Sequence, residues 1–358
     1  MRFAPDRRRL IQGIATSAVL AAAPKVRAAA APCANDIVLN PMIFQRADPH
    51  VLRAPDDSYY FTASVPEYDR VILRHADTIA SLAKSPERTI WKRPAKGRMG
   101  GHIWAPEIHQ IAGKWLVYFA AGDSDSRFRI RTYVLGCTGR DPMQDPWELV
   151  GQLETPWDTF TLDATSFQHK GADYLCWAQQ EPGIESNSNL YLARLRSPTT
   201  LASRPLRLTV PTLDWETKRF KVNEGPAFLH HGDKVFITYS ASATDDRYVM
   251  GMLWAKADAD LMDSASWSKS QVPVFASAPE NNVFGPGHNS FTTDACGRNL
   301  LVYHARDYRE IAGDPLYDPN RHTRVQPFGF DADGMPVFGK PVHSGPLSLS
   351  GHPIGKPS

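Results

Sequence analysis

Cysteine is scarce in this chain: Cys33, Cys137, Cys176 and Cys296 are the only four in 358 residues. They are too few and too scattered for a disulfide framework, and no pair has zinc-ligand spacing. Cys176, inside an apolar strand, reads as a small buried hydrophobe. A long apolar run is also missing. The stretch from Leu10 to Ala23 falls short of the ~20 residues that a helix needs to cross a bilayer. A net excess of positive charge is missing outside the N-terminus. The formal balance is +2, but residues 1–31 hold six Lys/Arg against Asp6, so the remainder carries about −3. Nucleic-acid binding therefore has no electrostatic support. Long helical periods are absent too, and 29 prolines with 24 glycines punctuate short segments.

The N-terminus reads as an address. Arg7, Arg8 and Arg9 precede the apolar run, and the small residues Ala28 to Ala31 follow it. A basic start, a short apolar stretch and an A-x-A-like end describe a secretory signal. The run Arg-Arg-Arg-Leu-Ile resembles a twin-arginine signal, which implies export to the periplasm or beyond. Pro32 before Cys33 argues against a lipid anchor. The expected organisation is a signal over residues 1–31 and a single domain over 32–358, acting as a monomer with no membrane anchor.

Within that domain an aromatic-rich strand returns five times: YYFTAS, WLVYFAAG, DYLCWAQ, KVFITYSAS and NLLVYHAR. The marker aromatics Tyr60, Tyr118, Trp177, Tyr239 and Tyr303 stand 58, 59, 62 and 64 residues apart. A sustained period of this size points to repeated supersecondary units. A further strand follows each marker strand, and in most repeats an aromatic then opens an outer one: Trp91, Trp147, Trp267 and Phe338. β-Branched and aromatic content favours strands over helices. Four short strands per repeat describe a propeller blade, so the expected fold is an all-β, five-bladed β-propeller. The last blade would be completed by the segment through Val342 or by an N-terminal strand near Ile37 to Leu39.

Three repeats open with a carboxylate: Asp48, Asp163 and Glu224. Singly, each has a plain explanation as an Asx-turn residue, a turn cap or a loop residue. Together, on the innermost strands of a propeller, they would converge at one channel mouth. Paired carboxylates across a sugar are the minimum equipment for glycoside hydrolysis, one donating a proton and the other activating water or attacking. A third would raise the acid's pKa by repulsion.

The motifs Arg46-Ala-Asp48-Pro, Trp104-Ala-Pro-Glu107, Leu162-Asp163-Ala and Val222-Asn-Glu224-Gly-Pro, in this order and spacing, resemble glycoside hydrolase family 43. The resemblance implies an inverting enzyme with Asp48 as general base, Glu224 as general acid and Asp163 as modulator of the acid's pKa. It implies a sugar pocket shaped by Trp104 and Glu107, and contacts from His288 and from Arg324 in the last blade. A histidine at the place of His288 implies a possible metal contact, a structural calcium in the channel, although no cofactor is required. The stretch Tyr60 to Arg70, with Gly101 to Glu107, is most similar to the exo-acting α-L-arabinofuranosidase branch. The implied substrates are plant cell-wall arabinan or arabinoxylan oligosaccharides. The alternatives are a β-xylosidase on xylo-oligosaccharides and a non-catalytic glycan-binding propeller, which would not need three acids.

Overall fold

The computed structural model describes Met1 and residues 37–350, and strands joined by turns dominate 37–350. The only α-helix among the described residues is a single turn, Ile79–Leu82. Apart from Met1, the signal read over residues 1–31 lies outside them. Five antiparallel sheets follow one another along the chain. The first blade comprises Ala47–Arg53, Tyr59–Ser64, Arg70–Ala76 and Arg88–Lys92. The second runs through Ile103–Ile111, Lys114–Ala121, Arg131–Cys137 and Trp147–Gln152. The third holds Thr161–His169, Ala172–Gln179 and Asn189–Ser197, with Thr200–Leu201 and Leu206–Thr209 sharing the outer position. The fourth holds Asn223–His231, Lys234–Ala241, Val249–Lys256 and Ser268–Lys269. This is the five-bladed propeller expected from the repeat.

The fifth blade differs from the other four. Phe284–Thr293, Asn299–Arg306 and His322–Pro327 make a three-stranded sheet, while Gly329–Phe330 and Pro336–Val337 form a separate hairpin. The ring is closed by the N-terminal segment. Ile37–Asn40 pairs with Gly345–Ser348 from the C-terminal end, and the next residues run beside the fifth blade. There the Asn40 side chain donates to Val325 O (2.8 Å) and accepts from Val325 N (3.0 Å), and Ile43 bridges Thr323. A buried asparagine amide thus takes the place of a strand's backbone, satisfying groups that would otherwise be orphaned.

The middle strands carry the core. All six residues of Tyr59–Ser64 are buried, as are seven of eight in Lys114–Ala121 and in Lys234–Ala241. Both faces of each are covered by neighbouring blades, which is why these stretches read as unbroken apolar and aromatic runs. Each large side chain so buried contributes roughly 1.5–3 kcal/mol. Cys176 is free and fully buried, as its strand context implied, Cys137 is free, and Cys296 is disulfide-bonded.

One irregularity recurs in every innermost strand. The register jumps from Ala47↔Ser64 to His50↔Thr62, so the inner strand has one residue more than its partner. Identical jumps follow Trp104, Leu162, Glu224 and Gly287. These are β-bulges, which re-aim a strand's side chains. The residue after each of those positions has a left-handed backbone: Asp48 (φ 53°), Ala105 (45°), Asp163 (53°), Gly225 (54°) and His288 (44°). Four of the five are not glycine, and a left-handed non-glycine costs on the order of 1–3 kcal/mol. Strain repeated at one level of a channel, on residues that include two acids and a histidine, marks a site.

Candidate active site

The bulges aim their residues at the channel mouth. A cavity of about 110 Å³ there is lined by Asp48, Trp104, Asp163, Glu224, Tyr248, His288 and Arg321, among others. All three sequence-predicted acids therefore meet. Asp48 and Asp163 occupy the bulge position itself, whereas Glu224 precedes the left-handed Gly225 and so is offset by one residue. The glycine lets this strand turn tightly enough for its neighbour to face the cavity; a Cβ on it would sit 3.1 Å from the His288 ring.

The two acids assigned to base and acid are held differently. Asp48 accepts from Ser64 Oγ (2.5 Å), and Arg321 Nη1 and His288 Nδ1 each lie 3.4 Å from its Oδ1. Burial alone would raise its pKa, but the charges of His288 and Arg321 outweigh that and hold it well below the usual carboxylate range. His304 is pushed down to about 3 by burial, against the pull of Asp48. It is therefore neutral, and its Nδ1 accepts from the Asp48 N–H at 3.0 Å. The nearby carboxylate contact at 3.3 Å is then not an ion pair.

Glu224 moves the other way. Burial raises its pKa to about 7, helped by the charge of Asp48 and opposed by the Tyr248 hydroxyl, which donates to Oε1 at 2.8 Å, and by Arg321. Asp163 is also raised well above its ordinary value, by burial first and then by Glu224 and Asp48. The Gly225 N–H donates to Asp163 Oδ2 at 2.9 Å, which favours the ionised form there and works against the burial. An ionised carboxylate and one that keeps its proton up to about pH 7 thus face a single cavity, and that pair can do acid–base chemistry on a bound ligand.

A relay of side chains sets the bulges. In three of the five blades the residue opposite the pre-bulge position reaches the bulge N–H of the next blade: Ser64 to Ala105 (2.7 Å), Ser240 to His288 (2.7 Å) and His304 to Asp48 (3.0 Å); opposite Trp104 and Leu162 stand Ala120 and Ala178, which have no such group. These residues stand at the polar ends of the strands YYFTAS, KVFITYSAS and NLLVYHAR, just past the recurring aromatics Tyr60, Tyr239 and Tyr303.

Arg324 is not at the site. It is fully buried and bonds Asp307, Ser344 Oγ (2.7 Å) and Val342 O (3.1 Å), tying the strand to the C-terminal segment. The arginine of the pocket is Arg321, which also donates to Tyr68 OH at 2.8 Å. Third strands enter from the mouth, so Arg321, just before His322–Pro327, lies there. Arg324 stands three residues or ~10 Å further down. Tyr248, just before Val249–Lys256, is at the mouth for the same reason, and the strand's direction was the available signal for both. Glu107 is also elsewhere, two residues past its bulge and deeper in the channel, where it meets His109 (3.0 Å) and His50 (3.6 Å). Trp104 lines the pocket and stacks on His102 with centroids 4.8 Å apart.

His288 lines the acid pocket, and its Nε2 is buried without a hydrogen-bond partner. Calcium takes six to eight oxygen ligands. An imidazole brings none, and its Nδ1 faces Asp48 and Asp163. The protein groups around it do not make a calcium site.

The family model described as Glycosyl hydrolases family 43 matches residues 38–336. An extracellular exo-α-(1→5)-L-arabinofuranosidase of Streptomyces avermitilis is 51% identical over 319 residues, covering 88% of this chain and 66% of that protein. A protein of the same name from Streptomyces chartreusis is 49% identical over 313 residues, covering 87% of this chain and 94% of its own length. The crystal structure of an α-L-arabinofuranosidase from Lactobacillus brevis superposes with a TM-score of 0.83 at 53% identity, covering 86% of this chain and 98% of that one. Against the S. avermitilis relative the chain thus spans just under two thirds of the length.

Proposed function

The chain belongs to glycosyl hydrolases family 43, and we propose that it removes terminal α-L-arabinofuranosyl residues from arabinan, arabinoxylan or arabino-oligosaccharides by single displacement. The observation that carries this reading is the opposed protonation of Asp48 and Glu224 across one small cavity. Glu224 would donate its proton to the glycosidic oxygen as the bond breaks. Asp48, ionised at every working pH, would take a proton from a water on the opposite face of the ring, so that the oxygen attacks with inversion. Asp163, a second buried carboxyl at the same cavity, would modulate the acid's pKa through the charge coupling between the two. Arg321 and His288 hold the base ionised and reach the cavity where sugar hydroxyls would lie. The cavity of about 110 Å³ is far smaller than the roughly 300–1,000 Å³ of sites for drug-sized ligands, and suits one sugar ring at a chain end.

Export is part of the proposal. Two relatives are named extracellular, the leader has the form of a secretory signal, and among the described residues no helix is long and apolar enough to cross a membrane. The test is incubation with linear α-1,5-arabino-oligosaccharides and, separately, with β-1,4-xylo-oligosaccharides, following the first product anomer by NMR. Arabinose released as its β-anomer is expected, with Asp48→Asn and Glu224→Gln each slowed ~10²-fold or more. Xylose as the main product would replace the substrate assignment, and arabinose released first as the α-anomer would overturn the inverting mechanism.

A further inference from the structure

Below the acid layer the channel has a second constellation that the hydrolytic reading does not use. The residues two places past each bulge form a ring of their own, and those from the first two blades are His50 and Glu107. His109 lies two residues further along the same strand as Glu107, so the two side chains point to one side of it. We propose that His50, Glu107 and His109 form a binding centre for one divalent transition-metal ion of the zinc class, bridging the first and second blades.

Three observations carry the proposal. First, the geometry suits a small ion. Glu107 Oε2 lies 3.0 Å from His109 Nε2 and 3.6 Å from His50 Nε2, and the ligand atoms all fall within 4.8 Å of one another. Zinc bonds of ~2.0–2.1 Å in a tetrahedron set ligand atoms about 3.3–3.4 Å apart, between those two separations. Second, the donors are right for it. Two imidazoles and a carboxylate are a zinc-type set, whereas calcium and magnesium take oxygens. Third, the carboxylate lacks a permanent counter-charge. Glu107 is buried, and among the described residues its only ion-pair partners are these two histidines. The carboxylate is already held by a hydrogen bond with His109, and a bound ion would supply the fixed cation that two neutral imidazoles do not. The fourth ligand position has room for water, because all three side chains line a cavity of about 430 Å³ on the side of the channel away from the acid pocket.

The centre is separate from Asp48 and Glu224, and its existence does not depend on which glycoside is cleaved. The untagged full chain, stripped with a chelator, is titrated with Co²⁺ as the probe. One equivalent is expected to bind with the visible absorption of a low-symmetry, four- or five-coordinate cobalt site, to be displaced by Zn²⁺, and to raise the melting temperature. Glu107→Gln and His109→Gln should each weaken binding by ~10²-fold or more, whereas Glu224→Gln should leave it unchanged. Wild-type protein that takes up no cobalt at millimolar concentration would overturn the proposal. So would binding that persists in both Glu107→Gln and His109→Gln, or a preference for Ca²⁺ over Zn²⁺. Circular dichroism of each variant separates lost binding from lost folding, and the wild-type titration decides the matter even if both variants fail to fold.

Discussion

Replacing the proton donor should stabilise the protein while disabling it, and the gain should depend on pH. Glu224 has a pKa of about 7 in the folded chain against an ordinary 4.5. The native state therefore binds the proton more tightly than the unfolded state does, and wild-type stability falls as pH rises between those two values. Each pH unit in that window costs about 1.4 kcal/mol, so the full penalty has a ceiling of about 3 kcal/mol, reached above pH 7. Charge coupling to Asp163 spreads the change over a wider range and lowers the part that belongs to Glu224 alone. Glutamine keeps the shape and still accepts from Tyr248 but cannot ionise. Glu224→Gln should therefore melt within about 1 °C of wild type at pH 4 and roughly 3–6 °C above it at pH 8. The assay is calorimetry of both proteins from pH 4 to 8, alongside activity, which should be lost in the variant throughout. A melting-temperature difference that stays flat with pH, or shrinks as pH rises, would refute the assignment of a raised pKa to Glu224.

Tyr248→Phe removes the hydroxyl that favours ionised Glu224, so the alkaline limb of kcat/KM on arabinobiose should move up by about one pH unit; an unmoved or lowered limb would count against that contact. The two arginines should separate cleanly. Arg321→Met should cut kcat/KM by ~10²-fold with the acid limb rising, because Asp48 loses a cation, while Arg324→Met should lower the melting temperature and leave KM near wild type. Activity assays at several pH values and thermal melts of both variants check this. Asn40→Ala removes the amide that pairs with Val325 and strands a buried backbone N–H and C=O, so urea unfolding should show a loss of about 1–3 kcal/mol with activity per folded molecule retained.

The repeat, and with it the blade count, was legible because each middle strand is covered on both faces and must be apolar and aromatic along its whole length. Packing of that kind leaves its mark residue by residue, as in Tyr59–Ser64 and Lys234–Ala241. The acids were legible for a related reason: Asp48, Asp163 and Glu224 recur near one phase of the repeat, and phase in the chain becomes height in the channel. Less could be read about which arginine joined them. Arg321 and Arg324 are three residues apart on one short segment, and the choice depends on where the strand crosses the mouth. That point is set by the pairing of His322–Pro327 with Asn299–Arg306.

The closure of the ring was not legible either, since an asparagine side chain standing in for a strand has no periodicity to detect. Nor were the protonation states. Nothing local distinguishes Asp48, held ionised, from Glu224, held protonated. The difference arises from Arg321 and His288 beside one, 273 and 240 positions away in the chain, and from burial around the other. By itself, the sequence determined what recurs: strand, phase and the acids near that phase, because these answer to local backbone and burial demands. Only the tertiary structure decided what converges, because charge and hydrogen bonding act through space across five blades and leave no pattern along any one of them.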